Sequence, residues 1–225
     1  MNGAVPTPPP GSARYFALLY APRPRRPALA RLLALADEIG AGVTRGLDHD
    51  VAHARLAWWQ HEAGQYALAR SQHPWLRTRP DEQSGAPRVD LDSLVQAAAI
   101  DLAQALQRPP GGERLRRAVF VAAAQLLDAG PLPSALRESI GELGALSWQW
   151  EQAPLSATVT SAALQPLLAR LGAALQPVLA PLLVWTALAA RHASPGKASL
   201  RRAVADNIHA WNVARRAAAG SLTSR

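Results

Sequence analysis

Apolar residues recur along most of this chain at three- and four-residue intervals, the spacing that gathers them on one side of an α-helix. Between Asp90 and Gln107 the positions Leu94, Ala98, Leu102 and Ala105 share one face. Between Glu113 and Ala129 the same role falls to Leu115, Val119, Ala122 and Leu126. Pro- and Gly-rich breaks separate such segments. Ala13 to Tyr20 is short and aromatic. Pro27 fits the first turn of a helix that runs to about Ile39 and ends at Gly40 or Gly42. Asp48 or Asp50 caps the next helix, in which Val51, Ala54 and Trp58 lie on one face with Ala52, Leu56 and Trp59 beside them. That wide stripe predicts a helix packed on two sides. Arg70 to Arg88 reads as a loop. After the PPGG break at 109–112 and the GPLP break at 130–133, Ser134 caps a helix to about Gln152. Thr160 to His192 is a long apolar run that Pro166, Pro177 and Pro181 should kink or split. Gly196 precedes a last helix from Lys197 to Ala219. No segment has the alternation of a strand. The expected architecture is one all-α bundle of about seven or eight helices over 13–220, with a disordered Pro-rich lead at 1–12 and a flexible tail at 221–225.

Composition supports that picture. Hydrophobic residues make up 49% of the 225, enough for a substantial core. Ala and Leu dominate over β-branched and aromatic residues, which favours helices over sheets. The absence of cysteine excludes disulfides, thiolate metal sites and cysteine nucleophiles. The formal net charge of +8 suits an anionic partner such as a diphosphate or a lipid headgroup, and equally a mere compositional excess of arginine. Leu171 to Ala190 carries no charge and is long enough to span a bilayer. Gly172, Gln176, Pro177 and Pro181 within it, and Arg170 and Arg191 flanking it, favour a buried, kinked helix instead. No P-loop, dinucleotide fingerprint or nucleophile elbow is present, and no recognition-helix signature accompanies the basic charge, so no specific nucleic acid is expected.

Three segments resemble the squalene/phytoene synthase family: RYFALLYAPRPRRPALARLLALADEIG (Arg14 to Gly40), AHARLAWWQHE (Ala52 to Glu62), and the tail pieces PLLVWTALAARHA (Pro181 to Ala193) and ADNIHAWNVARRAAAG (Ala205 to Gly220). The resemblance implies an isoprenoid synthase-type helical bundle around an apolar cavity. It also implies prenyl diphosphates joined head to head with Mg2+ held by two Asp-rich motifs. Such a site requires hard oxygen ligands. Here the chain departs from the family. The paired aspartates of the first motif would fall on Gly40 and Ala41, and the later one near Thr44. Asp37 and Glu38 offer adjacent acids only. The second motif would lie near Leu143 to Gln152, where Glu142 and Glu151 stand without an aspartate pair.

The resemblance therefore implies a scaffold that has lost magnesium-dependent catalysis and binds a prenyl group, a lipid or a protein partner. In the enzymatic alternative Asp37, Glu38, Glu142 and Glu151 are the candidate acids. In a second alternative the chain is a basic helical interaction protein. A cytoplasmic location, peripheral at the inner membrane, is the corresponding expectation.

Tyr15, Arg26, Arg55, Trp58 and Trp59 are the candidate ligand-binding residues. Arg26 and Arg55 could grip diphosphate bidentately, and a salt bridge is the plainer reading of Arg55. Trp58 and Trp59 point about 100° apart on a helix. Packing anchors are their simplest role, and a cavity wall the functional one; Trp148, Trp150, Trp185 and Trp211 admit the same two readings. His49 and His53 share a helix face at i, i+4, with His61 two turns on, but two histidines without a third ligand make a poor metal site. Asp206 and Asn207 read as a structural polar pair. Arg201, Arg202, Arg215 and Arg216 form either a solvated face or a basic amphipathic helix that meets anionic lipid.

Overall fold

The computed structural model describes residues 5–44, 48–77, 88–105, 112–128, 132–152, 157–172, 175–192 and 200–222. Within them the chain forms ten α-helices and no strand: α1 (Ala13–Tyr20), α2 (Arg26–Thr44), α3 (His49–Ala67), α4 (Pro74–Arg77), α5 (Leu91–Ala105), α6 (Glu113–Asp128), α7 (Ser134–Gln152), α8 (Ala157–Leu171), α9 (Gln176–His192) and α10 (Leu200–Ala218), with a 3-10 turn at Arg23–Arg25. The all-α class is as expected, and the helix count exceeds the seven or eight expected. Two differences account for most of the excess. The stretch from Arg70 expected as a loop contains the four-residue α4, with 78–87 outside the described residues, and the apolar run to His192 is two helices.

The break in that run does not fall at a proline. It falls at Gly172, whose φ of +69° is the left-handed conformation that ends a helix cheaply only for glycine. Pro166 and Pro181 sit inside α8 and α9, and Pro177 in the first turn of α9. A second boundary also moves. The helix starting near Pro27 passes through Gly40 to Thr44. Gly40 allows close packing, since a Cβ there would lie 3.1 Å from Leu115 Cδ2 on α6. Among the described residues no helix is long and apolar enough to cross a membrane.

Helix ends follow local chemistry. Ser12 Oγ accepts from the Tyr15 N–H at the start of α1, and Asp48 accepts from the Asp50 N–H before α3. Asp90 accepts from the Ser93 N–H ahead of α5. The core joins all the long helices. Leu32, Leu94, Phe120, Ile140, Leu143, Leu182 and Leu188 are almost fully buried in it, and the rings of Phe120 and Trp185 lie 4.8 Å apart. Helix α9 is central and packs on α1, α6, α7, α8 and α10; α10 lies at the edge with α9 as its main neighbour.

One stripe proves narrower than its sequence suggests. On α3, Ala52, Leu56, Trp59, Ala63 and Tyr66 are buried, whereas Val51 and Trp58 are exposed. The helix therefore packs on one side rather than two. Trp58 is 47% exposed and is not the packing anchor expected of it.

Candidate functional site

A pocket of about 490 Å³ opens between α1, α2, α6, α7 and α9. Its apolar wall includes Leu33, Leu115, Val119, Trp148 and Trp185, and its charged groups are Arg14, Asp37, Arg116 and Glu151, with Gln152 beside them. The volume lies in the range of small-molecule sites.

The site is built around Arg116. Asp101 on α5 accepts hydrogen bonds from the backbone N–H groups of Arg114 (3.1 Å) and Leu115 (2.8 Å), which fixes the first turn of α6. Burial raises the Asp101 carboxyl pKa, opposed by the N–H groups of Leu115, Arg114 and Gly112. Two glycines then bring α6 and α7 together. A Cβ on Gly144 would lie 2.8 Å from the Arg116 carbonyl oxygen, and one on Gly112 would lie 2.6 Å from the Trp148 ring. Gly112 also has a φ of +129°, open only to glycine at low cost.

The Arg116 guanidinium emerges from this junction buried, between two indole faces, 4.7 Å from the Trp185 centroid and 5.5 Å from that of Trp148. It donates two hydrogen bonds to Glu151, Nη1 to Oε1 at 3.0 Å and Nη2 to Oε2 at 2.8 Å. Trp185 Nε1 donates to the same Oε1 at 3.0 Å. Burial pulls the Arg116 pKa below its ordinary value, while the Glu151 carboxylate opposes that shift. Arg14, from α1, also lies over the Trp185 ring at 5.6 Å and forms an ion pair with Asp37 of α2. The pocket thus holds two guanidiniums and two carboxylates, paired one to one.

Of the acids proposed from sequence, the structure brings Asp37 and Glu151 to this pocket, together with Gly40 and Ala41, where the family's aspartates would stand. Glu38 and Arg55 line an adjacent crevice with Trp75 and the Pro6–Pro9 segment. Glu142 lines neither and pairs with Arg170 of α8. The donor set does not fit magnesium diphosphate. Its two carboxylates already have guanidinium partners, and no group of three or more His, Asp or Glu side chains among the described residues is placed to hold a metal ion.

The other candidates lie elsewhere. Arg26 caps α1, donating from Nε to the Ala21 carbonyl (2.9 Å) and from Nη2 to that of Leu19 (2.6 Å). Tyr15 is half-buried, edge-on to Phe16. Trp59 is buried and packs with Trp58 and Trp75 around His73, its ring 5.1 Å from the imidazole. His49 and His53 approach to 2.9 Å between their Nε2 atoms, on the surface. Asp206 is buried and accepts from Arg191 Nε at 2.6 Å, tying α10 to α9. The side chains of Arg201 and Arg202 lie outside the described residues.

Sequence reasoning missed the partners that define the pocket, Arg14 and Arg116. Arg116 sits in a run, ERLRR, whose arginines all read alike until the fold buries one. The detectable signal was Gly144, a mid-helix glycine where a Cβ would lie 2.8 Å from the Arg116 carbonyl oxygen. Comparison with protein-family models, with curated proteins and with solved structures finds no match for this chain.

Proposed function

We propose that this protein is a squalene/phytoene synthase-like scaffold without magnesium-dependent catalysis, and that its central pocket binds a prenyl or related lipid ligand. The observation that carries this reading is the internal pairing of both pocket acids, Asp37 with Arg14 and Glu151 with Arg116. A carboxylate engaged by a guanidinium is a poor magnesium ligand, because the metal must displace a charge-assisted hydrogen bond before it binds. The apolar side, with Leu33, Leu115 and Val119, suits an isoprenoid chain. Arg14, whose side chain is 29% exposed, is the cation an anionic head would meet, in exchange for its pairing with Asp37.

One observation favours the enzymatic alternative: Asp37 and Glu151, on different helices, do line the same cavity. A titration with farnesyl diphosphate separates the two. Trp148 and Trp185 in the wall should report binding as a saturable change in tryptophan fluorescence. The midpoint should be the same with and without magnesium, and no diphosphate should be released. Magnesium-dependent release that Asp37→Ala abolishes would establish catalysis. A flat titration with both farnesyl diphosphate and farnesol would remove the prenyl ligand.

A further inference from the structure

The last helix has a face that the bundle leaves uncovered. On α10, Val204, Ile208 and Trp211 are 50%, 56% and 53% exposed, at four- and three-residue spacing, and so form one continuous stripe. Among the other large exposed apolar residues described, Leu19 and Ile100 stand alone on their helices, and α3 carries two, Val51 and Trp58, seven positions apart. Arg215 continues the stripe one turn on, and its guanidinium lies 5.0 Å from the Trp211 centroid. The buried side of α10 is formed by Asp206, Ala210 and Ala217.

Charge identifies the occupant of this face. From Lys197 to Arg216 the chain carries Lys197, Arg201, Arg202, Arg215 and Arg216 against a single acid, Asp206. That acid is buried and committed to Arg191. A second copy of the chain would set one cationic helix against another. Three side chains also offer far less than the ~800 Å² per partner of a standard protein interface. An anionic lipid surface meets both features: a stripe with a tryptophan at the headgroup level, and cations on the same helix.

We infer that α10 is an interfacial helix that docks the protein on anionic bilayers, with Val204, Ile208 and Trp211 entering the headgroup region and Arg215 held at its level by Trp211. The docked helix lies along the surface and does not cross it. Each basic residue near such a surface adds a screened attraction, so binding weakens as salt rises. The inference is independent of the pocket's ligand.

Vesicle co-sedimentation of the full chain tests it. Vesicles of phosphatidylcholine with one part in three phosphatidylglycerol should bind at low salt, at least tenfold more tightly than phosphatidylcholine alone, and release the protein at high salt. Ile208→Asp with Trp211→Asp should reduce binding at least tenfold while leaving the helical circular dichroism intact. If that pair lowers folding, Trp211→Phe serves instead: it should keep binding but lose part of the blue shift in tryptophan emission that vesicles induce. The inference fails if the wild-type chain ignores anionic vesicles, or if the folded double variant binds as well as wild type. It fails too if sedimentation shows a dimer that the double variant dissociates, for the stripe would then be a self-interface.

Discussion

Arg116 and His73 are each surrounded by tryptophan rings, yet burial is answered differently at the two sites. Arg116 lies between Trp148 and Trp185, and His73 between Trp59 and Trp75, with Trp58 at 6.1 Å. Burial disfavours the charged form in both. The guanidinium keeps its charge through its own basicity, and the carboxylate that meets it with two parallel hydrogen bonds offsets the cost of burying it. The imidazole has acids nearby, Glu38 and Glu62, but neither outweighs burial, and its pKa falls below the usual value. The Glu62 carboxylate is turned to the Ser71 hydroxyl at 2.6 Å. His73 Nδ1 instead accepts from the Trp75 N–H at 3.3 Å, a bond that needs the nitrogen unprotonated. Aromatic faces favour a cation only weakly; each group's own basicity sets its charge, and the directly bonded counter-charge offsets the burial of the guanidinium.

The strongest way to break this comparison is to remove that counter-charge. Glu151→Ala leaves a buried guanidinium with two indole faces and no carboxylate. The loss should be about 3 kcal/mol in a denaturant titration, the lower end of the range for a broken buried pair, because the Glu151 side chain itself is 26% exposed and water can enter. A loss under about 1 kcal/mol, the scale of a weak cation–π contact, would mean that the rings hold the charge without the acid.

How much of this was legible in the sequence depends on what each feature requires. The helices were legible because apolar periodicity and capping residues are local: Asp48, Ser134 and the break at PPGG all fall within a residue or so of observed ends. Gly40 was misread for the converse reason. Glycine's role as a helix stop is local, but its role as a contact surface depends on Leu115, which lies on another helix. The candidate site divides the same way. Acids could be found by type, and Asp37 and Glu151 do reach the pocket. Their pairing with Arg14 and Arg116 joins residues 23 and 35 positions apart, and no spacing rule reaches that far. Trp58 and Trp59 looked equivalent as neighbours, and only the packing of α3 separates the buried ring from the exposed one.

Acidification gives the next largest effect. A histidine whose native pKa is depressed contributes stability that is complete above its unfolded value, about 6.5, and lost as pH falls through the native value. His73 behaves in this way through burial. So does His209, lowered by burial and then by Arg191, with Asp206 opposing. Urea midpoints should therefore drop between pH 7.5 and 5.5, and the drop should be smaller in His73→Gln, with the His209 share remaining. An equal drop in the variant would place the pH dependence wholly outside the tryptophan cluster.

The smallest change in stability should come from Trp58→Ser. Its indole is 47% exposed, so stability should move by no more than about 0.5 kcal/mol. The informative readout is the imidazole beside it. If the Trp58 ring helps keep water from His73, its loss should raise the His73 pKa toward the ordinary value, a shift that NMR titration of the ring protons reads directly. An unchanged pKa would assign the dehydration to Trp59 and Trp75 alone. A loss above 1 kcal/mol would make Trp58 a packing anchor despite its exposure. Either result measures how much of a half-buried imidazole's charge state is set by rings alone where no carboxylate is bonded to it.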